Sequence, residues 1–174
     1  VNNIRSIPCK PRCRDISFAD RYSACLINGD SLQSDEQVKA LALKLWRDIQ
    51  PYEQQACSSP RVIFWQGNKD LQDALFNEVG ILARNSNPAI SQANEHLFTT
   101  QLIKSQEPSI ENKKFGPLSL LMLKSFKEPL LDWHAGLSML YQVQIRSLDE
   151  IGLLVSSKLQ TLSHWGFKEA ELLN

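Results

Sequence analysis

Apolar residues along this chain recur in two patterns, which alternate from one segment to the next. Short apolar runs at 22–27 and 62–65 predict strands that are covered on both faces. Between them, apolar residues return every three or four positions, which predicts a helix with one buried face. That buried stripe is predicted to contain Val38, Leu41, Ala42, Leu45, Trp46 and Ile49. The alternation of strands and helices predicts an α/β fold.

Polar residues indicate where the helices begin and end. Ser34 and Gln37 form a capping box at the start of the first helix, and Pro51 ends that helix. Asn68 is predicted to cap a second helix, which breaks at 85–88 before a third helix at 89–103. The buried stripe of the second helix is predicted to be Leu71, Leu75, Val79 and Leu82.

The second half of the chain continues the alternation of elements. Segment 105–116 is rich in polar residues and turn formers, which predicts an exposed connection. A capping box at Ser147 and Glu150 predicts the start of another helix. The further elements predicted are strands at 117–124, 137–145 and 158–162 and helices at 147–156 and 167–173. We therefore predict a single three-layer α/β domain over residues 1–174, with a mixed sheet flanked by helices.

Composition and charge exclude several classes of protein. A chain of 174 residues that is 43% hydrophobic suits a globular domain with a sizeable core. Nineteen basic residues balance nineteen acidic ones, so no broad attraction to nucleic acid or anionic membrane is predicted. No apolar run has the length of a signal peptide or membrane span, which favours a cytoplasmic protein. The first residue is Val rather than Met, which predicts a piece of a longer polypeptide.

The four cysteines are Cys9, Cys13, Cys25 and Cys57. The first two are four residues apart, but no histidine occurs before His96, so no metal site is predicted. Nothing marks secretion, and reduced thiols are therefore expected. Cys57 differs from the others because it lies in a polar loop between the end of a helix and an apolar strand. Nucleophiles are commonly positioned in such loops.

The residues around Cys57 resemble a known active-site sequence. Gln55-Ala56-Cys57 matches the Gln-x-Cys triplet that precedes a strand in the acyl-CoA reductases of bacterial bioluminescence, a branch of the aldehyde dehydrogenase superfamily. Further similarity lies at 16–27, at 146–151 and at 159–162, which contains a Leu-Gln-Thr strand. The resemblance implies an aldehyde-dehydrogenase-like catalytic domain that is one portion of a longer reductase.

The same resemblance implies the chemistry and the partners of the protein. The Cys57 thiolate would attack a long-chain acyl-CoA or acyl-protein, and NADPH would reduce the acyl-cysteine to a fatty aldehyde. The backbone N–H of Cys57 would help to stabilise the oxyanion. Gln55 would position the loop or donate to the substrate, although a solvated loop glutamine fits the residues equally well. An acyl-protein synthetase and a second copy of the chain are the implied protein partners.

Neighbouring residues are given structural interpretations. Gln54, Ser58 and Ser59 are expected to shape the turn that carries Cys57. The apolar run at 118–123 favours a core strand over the wall of an acyl tunnel. His96, His134 and His164 match no motif and are interpreted as surface or structural histidines.

Two features depart from the pattern of the family. Only 56 residues precede Cys57, and they contain no glycine-rich phosphate loop, so the NADPH-binding domain is expected to lie mostly outside this chain. No histidine precedes Cys57, although the family has one there. Two alternatives therefore stay open. One is a cysteine acyltransferase or thioesterase, and the other is a non-catalytic domain that binds a partner.

Overall fold

The structure is a computed structural model, and it describes residues 21–86, 89–154 and 156–172. Strands and helices alternate along these ranges, and three 3₁₀ helices lie between them. The elements are β1 (Tyr22–Asn28), α1 (Asp35–Ile49), β2 (Pro60–Gln66), α2 (Lys69–Asn85), α3 (Ile90–Gln106), β3 (Glu111–Phe115), β4 (Leu118–Leu123), β5 (Met139–Gln144), α4 (Asp149–Leu154), β6 (Leu159–Trp165) and α5 (Glu169–Leu172).

The six strands form one mixed sheet in the order β3-β4-β5-β2-β1-β6. All neighbouring strands are parallel except β3, which pairs antiparallel with β4. Parallel neighbours need crossover connections, and these place helices on both faces of the sheet. One apolar core lies under α1 and α2, and a second lies on the opposite face, where it includes residues of α3, α4 and the 3₁₀ helix Glu128–Trp133. The predicted three-layer α/β architecture is confirmed.

The predicted caps of α1 and α2 are present. Ser34 Oγ accepts a hydrogen bond of 3.4 Å from the Gln37 N–H, and Asn68 Oδ1 accepts one of 2.7 Å from Asp70. The Gln37 side chain, however, accepts from the Gln33 N–H at 2.7 Å instead of from Ser34. The reciprocal half of this capping box is therefore shifted by one residue.

The capping box predicted for α4 is shifted in the same way. Glu150 accepts a hydrogen bond of 3.3 Å from the Arg146 N–H rather than from Ser147. The helix itself begins at Asp149. Both shifts follow because a flexible Gln or Glu side chain can reach either of two neighbouring orphan N–H groups.

The prediction of an exposed connection at 105–116 was wrong for its second half. Residues Glu111–Phe115 form β3, an edge strand that pairs with β4 through a turn at Gly116. Lys113 is held there by Asp73 of α2 at 2.8 Å. A Cβ on Gly80 would lie 2.3 Å from the Phe115 carbonyl oxygen, so α2 approaches the β3 backbone closely. Tertiary packing overrides the polar composition of this segment.

Strand boundaries differ from the prediction where the backbone turns. The alternating segment 137–145 was predicted to be a strand, but β5 begins only at Met139. Leu137 and Ser138 have φ angles of 58° and 62°, which no strand can contain. The run at 118–123 is a core strand, as expected. Within the described ranges, no helix combines the length and apolarity that a membrane crossing requires.

Candidate functional site

Cys57 lies in an exposed loop that connects the 3₁₀ turn Pro51–Gln54 to the amino end of β2. Ser23 of β1 donates a hydrogen bond of 2.6 Å from Oγ to the Cys57 carbonyl oxygen. Ser59 donates one of 2.6 Å to the Asp48 carbonyl oxygen at the end of α1. The loop that bears the thiol is therefore attached to both of the elements beside it.

Gln54 is the principal anchor of this loop. Its side chain is fully buried, and Nε2 donates to the carbonyl oxygens of Pro60 at 2.8 Å and Met139 at 2.7 Å. Its Oε1 accepts from the Met139 N–H at 3.1 Å. One side chain thus joins the amino ends of β2 and β5. The expectation that Gln54 shapes the turn agrees with these contacts.

Two segments of strained backbone meet beside the loop. Tyr52, Glu53 and Gln54 have φ angles of 50°, 57° and 69°, which place three consecutive residues other than glycine in the left-handed region. Leu137, also in that region, donates its N–H to the Glu53 carbonyl oxygen at 2.8 Å. Strained conformations of this kind cost about 1–3 kcal/mol each and cluster at functional sites.

Gln55 is exposed, and its amide is already engaged. Nε2 donates a hydrogen bond of 2.7 Å to the Ala135 carbonyl oxygen in the loop before β5. This contact is what a role in positioning the loop requires. A role of Gln55 in donating to the substrate stays a prediction.

The backbone around Cys57 offers a donor to a substrate. In the loop, the Gln55 N–H donates to Tyr52 and the Ser59 N–H donates to Ala56. Within residues 21–86, 89–154 and 156–172, the N–H of Cys57 has no hydrogen-bond acceptor. An unpaired N–H beside a nucleophile can stabilise an oxyanion there.

His134 is a structural histidine. Its Nε2 donates a hydrogen bond of 2.7 Å to the Met139 carbonyl oxygen, and Nδ1 accepts one of 3.0 Å from the Gly136 N–H. Burial, reinforced by the nearby Arg61 cation, lowers the pKa of His134 to about 3. Its neutral form therefore persists at physiological pH, and both nitrogens are occupied.

No described histidine forms a hydrogen bond with Cys57. His96 bonds to the Leu137 carbonyl oxygen and to Ser119, and His164 lies within β6, at the far side of β1 from the Cys57 loop. The interpretation of His134 as structural is in agreement with its contacts. The pair formed by His96 and Ser119 was missed, because 23 residues separate the two and neither belongs to a sequence motif.

The other cysteines have no comparable setting. Cys25 is buried in β1, and burial raises the pKa of its thiol to about 11. It is an unreactive core residue. Cys9 and Cys13 lie outside the described residues. Among the residues that the structure describes, no three His, Cys, Asp or Glu side chains are placed to hold a metal ion.

The burial of His134 predicts a dependence of stability on pH. In the unfolded chain its pKa returns to 6.5, so below that pH the unfolded state binds the proton and the native state does not. The free energy of unfolding is therefore expected to fall by about 1.4 kcal/mol at pH 5.5 on account of His134. Urea unfolding at pH 7.5 and 5.5 measures the change in the free energy of unfolding between the two pH values. In His134→Gln this change is expected to be smaller by about 1.4 kcal/mol.

Tyr141→Phe is the matched control for this prediction. Tyr141 lies beside His134 and donates its hydroxyl to the Leu130 carbonyl oxygen at 2.7 Å. Burial raises the pKa of its hydroxyl, so it does not titrate between pH 5.5 and 7.5. The free energy of unfolding of this variant is expected to be lower than that of the wild type by about 1 kcal/mol at both pH values. An unchanged pH dependence in His134→Gln would contradict the prediction.

A family model matches the part of the chain that contains the Cys57 loop. Residues 1–109 match the model of the acyl-CoA reductase family LuxC, and this matched segment contains the entire Cys57 loop. The chain belongs to the LuxC acyl-CoA reductase family. The resemblance at Gln55-Ala56-Cys57 is thereby confirmed at the level of the family. No curated protein sequence matches the chain.

Solved structures of aldehyde dehydrogenases share the fold of this LuxC family member. Indole-3-acetaldehyde dehydrogenase, crystallised with NAD⁺, aligns over 89% of this chain and 35% of its own, with a TM-score of 0.57 and 9% identity. A 1-pyrroline-5-carboxylate dehydrogenase from Thermus with bound NAD aligns over 87% of this chain and 32% of its own, with a TM-score of 0.57 and 11% identity. At such identities the likeness shows the fold alone.

A third similar structure extends the same observation. Gamma-glutamyl-gamma-aminobutyraldehyde dehydrogenase from Burkholderia cenocepacia aligns over 84% of this chain and 38% of its own, with a TM-score of 0.52 and 11% identity. The chain therefore spans only about a third of the length of these aldehyde dehydrogenases. Over most of its length, the LuxC family member shares its mixed α/β fold with part of each of these dehydrogenases.

The turns after β1 and β2 do not form a site for the phosphates of a dinucleotide. Such sites need free backbone N–H groups and glycines that leave space for the ligand. Here a Cβ on Gly29 would lie 2.2 Å from the Trp65 ring, and one on Gly67 would lie 2.7 Å from the Asp30 carboxylate. That carboxylate also accepts the Asn68 N–H at 3.0 Å. Side chains of the chain itself, one of them anionic, therefore fill the space beside both glycines.

Proposed function

We propose that this chain is the acyl-accepting part of an NADPH-dependent reductase that converts long-chain acyl-CoA or acyl-protein to fatty aldehyde. The observation that supports the proposal best is an exposed cysteine, within the segment matched by the LuxC family, beside an unpaired backbone N–H. In this proposal the chain is a single catalytic domain of a cytoplasmic protein. Its proposed protein partners are an acyl-protein synthetase and a second copy of the chain.

In the proposed acylation step, the Cys57 thiolate attacks the carbonyl carbon of an acyl thioester. A new carbon–sulfur bond forms, and the carbonyl electron pair moves onto oxygen as the oxyanion that the Cys57 N–H stabilises. Collapse of this intermediate breaks the original carbon–sulfur bond and releases the carrier thiolate, which takes a proton from water. The acyl group then remains on Cys57 as a thioester.

The turns after β1 and β2 do not fit the phosphates of NADPH. Asp30 and Trp65 occupy the turns after β1 and β2, as described above. We therefore assign no reductive step to residues 21–86, 89–154 or 156–172. The proposal assigns the nicotinamide cofactor to the part of the protein in which the family carries its nucleotide-binding domain.

A direct test is the formation of the acyl-enzyme without a hydride donor. The complete protein is incubated with a long-chain acyl-CoA in the absence of NADPH, and intact mass and peptide mapping locate the adduct. One acyl group on Cys57 is expected, and Cys57→Ala is expected to abolish it. Cys25→Ala is the matched control, because Cys25 is buried and should leave acylation unchanged.

The outcomes separate the proposal from its alternatives. Release of aldehyde on addition of NADPH supports the reductase. Steady release of free fatty acid or of an acylated acceptor without NADPH, abolished by Cys57→Ala, supports a thioesterase or acyltransferase at Cys57 instead. An adduct that persists in Cys57→Ala, or no adduct at all, overturns the role of Cys57 and favours a domain that only binds a partner.

A further inference from the structure

A separate pocket lies at the amino edge of the sheet, and Cys57 does not line it. Its volume is about 370 Å³, within the range of small-molecule sites. The end of α1, the start of α3 and the turn between β3 and β4 enclose it. Its apolar wall consists of Trp46, Ile49, Ala93, Leu97, Pro117 and Leu137.

Ser119 and His96 meet on the wall of this pocket. Ser119 Oγ lies 2.7 Å from His96 Nε2, and His96 Nδ1 lies 2.8 Å from the Leu137 carbonyl oxygen. A carbonyl oxygen can only accept, so Nδ1 must carry the ring proton and Nε2 must be the acceptor for the Ser119 hydroxyl. A nucleophile, a base and a group that orients the base are thus aligned.

The surroundings of His96 preserve this arrangement. Burial lowers the pKa of His96, and the Lys114 cation on the same pocket adds to that effect, so the ring is neutral at physiological pH. The Leu137 carbonyl oxygen that orients the ring belongs to a residue held at a φ angle of 58°. Strain of this kind persists where the surrounding structure determines it, and it clusters at functional sites.

We propose that Ser119 and His96 form a second acyl-accepting site, independent of Cys57, which cleaves esters or thioesters of apolar acyl groups. The Ser119 oxygen bonds to the acyl carbon while its proton passes to His96 Nε2. The carbon–oxygen or carbon–sulfur bond to the leaving group then breaks, and His96 returns the proton to the departing alcohol or thiol. Water hydrolyses the acyl-serine by the same route, with His96 as the base.

The pocket matches substrates that have an apolar acyl chain. Trp46, Ile49 and Leu97 provide the apolar surface against which such a chain would pack. Lys114 is the cationic side chain of the pocket and the candidate for stabilising the oxyanion. The Ser119 N–H is not available for that role, because it donates to the Ser138 carbonyl oxygen at 3.0 Å.

Covalent labelling tests the proposal in the protein as it exists. The complete protein is treated with an alkyl fluorophosphonate, and the labelled peptide is mapped by mass spectrometry. Phosphonylation of Ser119 is the expected result. Hydrolysis of p-nitrophenyl octanoate is then measured in a Cys57→Ala background, so that a failure of the role proposed for Cys57 does not affect the result.

Three substitutions in that background separate catalysis from packing. Ser119→Ala and His96→Gln are each expected to reduce the hydrolysis rate at least tenfold. Glutamine can still donate to the Leu137 carbonyl oxygen but cannot serve as a base, so a purely structural histidine would tolerate it. Ser105→Ala is the matched control, because Ser105 lies on α3 with His96 but does not line the pocket, and this variant should retain the rate. The proposal is overturned if Ser119 of the folded wild-type protein is not labelled. This result does not depend on whether the variants fold.

Discussion

Replacement of Gln54 with alanine is expected to lower the free energy of unfolding by about 3 kcal/mol, measured by urea denaturation. The substitution removes a fully buried side chain that makes three hydrogen bonds. The Pro60 carbonyl oxygen then loses its side-chain donor, whereas the Met139 carbonyl oxygen keeps His134 Nε2 and the Met139 N–H keeps the Gly136 carbonyl oxygen. The loss of three hydrogen bonds at about 1 kcal/mol each accounts for the expected change in the free energy of unfolding.

Gln55→Ala is the matched control, because it changes the same residue type one position along the chain. Gln55 is exposed and makes a single side-chain hydrogen bond, to the Ala135 carbonyl oxygen. We expect the free energy of unfolding of Gln55→Ala to fall by less than about 1 kcal/mol. Similar losses in the two variants would show that the buried contacts of Gln54 do not hold the loop.

The same pair of variants tests the link between this anchor and the proposed chemistry. Gln54 holds the amino ends of β2 and β5 together, directly beside the loop of Cys57. Acylation by a long-chain acyl-CoA, measured under conditions in which Gln54→Ala remains folded, is expected to slow at least tenfold. Positioning errors of about 1 Å have effects of this size on enzymatic rates.

Gly136→Ala is expected to have a similarly large effect, about 3 kcal/mol, on the free energy of unfolding. Gly136 has a φ angle of 74°, and a Cβ there would lie 2.4 Å from the Glu53 carbonyl oxygen. The obstacle is backbone, which cannot rotate away as a flexible side chain can. The new methyl group would also lie 2.7 Å from Gln55 Nε2, so the Cys57 loop must move.

Gly152→Ala provides the control for the glycine substitution. Gly152 lies in α4, and a Cβ at this position would have no atom within 4 Å apart from its chain neighbours and the backbone of its own helix. Alanine in a helix is favoured over glycine, so this variant is expected to be more stable by about 0.5–1 kcal/mol. Gly136→Ala with wild-type stability would show that the loops of Glu53 and Gly136 can separate without cost.

Three observations place the candidate chemistry at one edge of the sheet. Cys57 precedes β2, the anchor Gln54 reaches the start of β5, and Ser119 lies near the start of β4. The strained segments at Tyr52–Gln54 and Leu137–Ser138 are joined there by the hydrogen bond between Leu137 and Glu53. The amino edge of the parallel strands therefore carries both of the sites proposed for this chain.

Local patterns in the sequence determined the secondary structure and the family. Apolar spacing and the caps at Ser34 and Asn68 depend on residues within one or two helical turns, so α1 and α2 follow from sequence alone. The triplet at Gln55-Ala56-Cys57 is also local, which is why the family was recognisable. The strand β3 was not predicted, because its pairing with β4 and its contact with α2 compensate for its polar composition.

Contacts between distant residues decided the rest. Gln54 forms hydrogen bonds with Met139, which is 85 residues away. Ser119 forms one with His96, which lies on another element. Neither pair has a signature in sequence spacing, because hydrogen bonds of this kind depend on how the chain folds back on itself. The sequence by itself determined the fold class and the position of Cys57. Only the tertiary structure decided which glutamine anchors the loop and which histidine faces a serine.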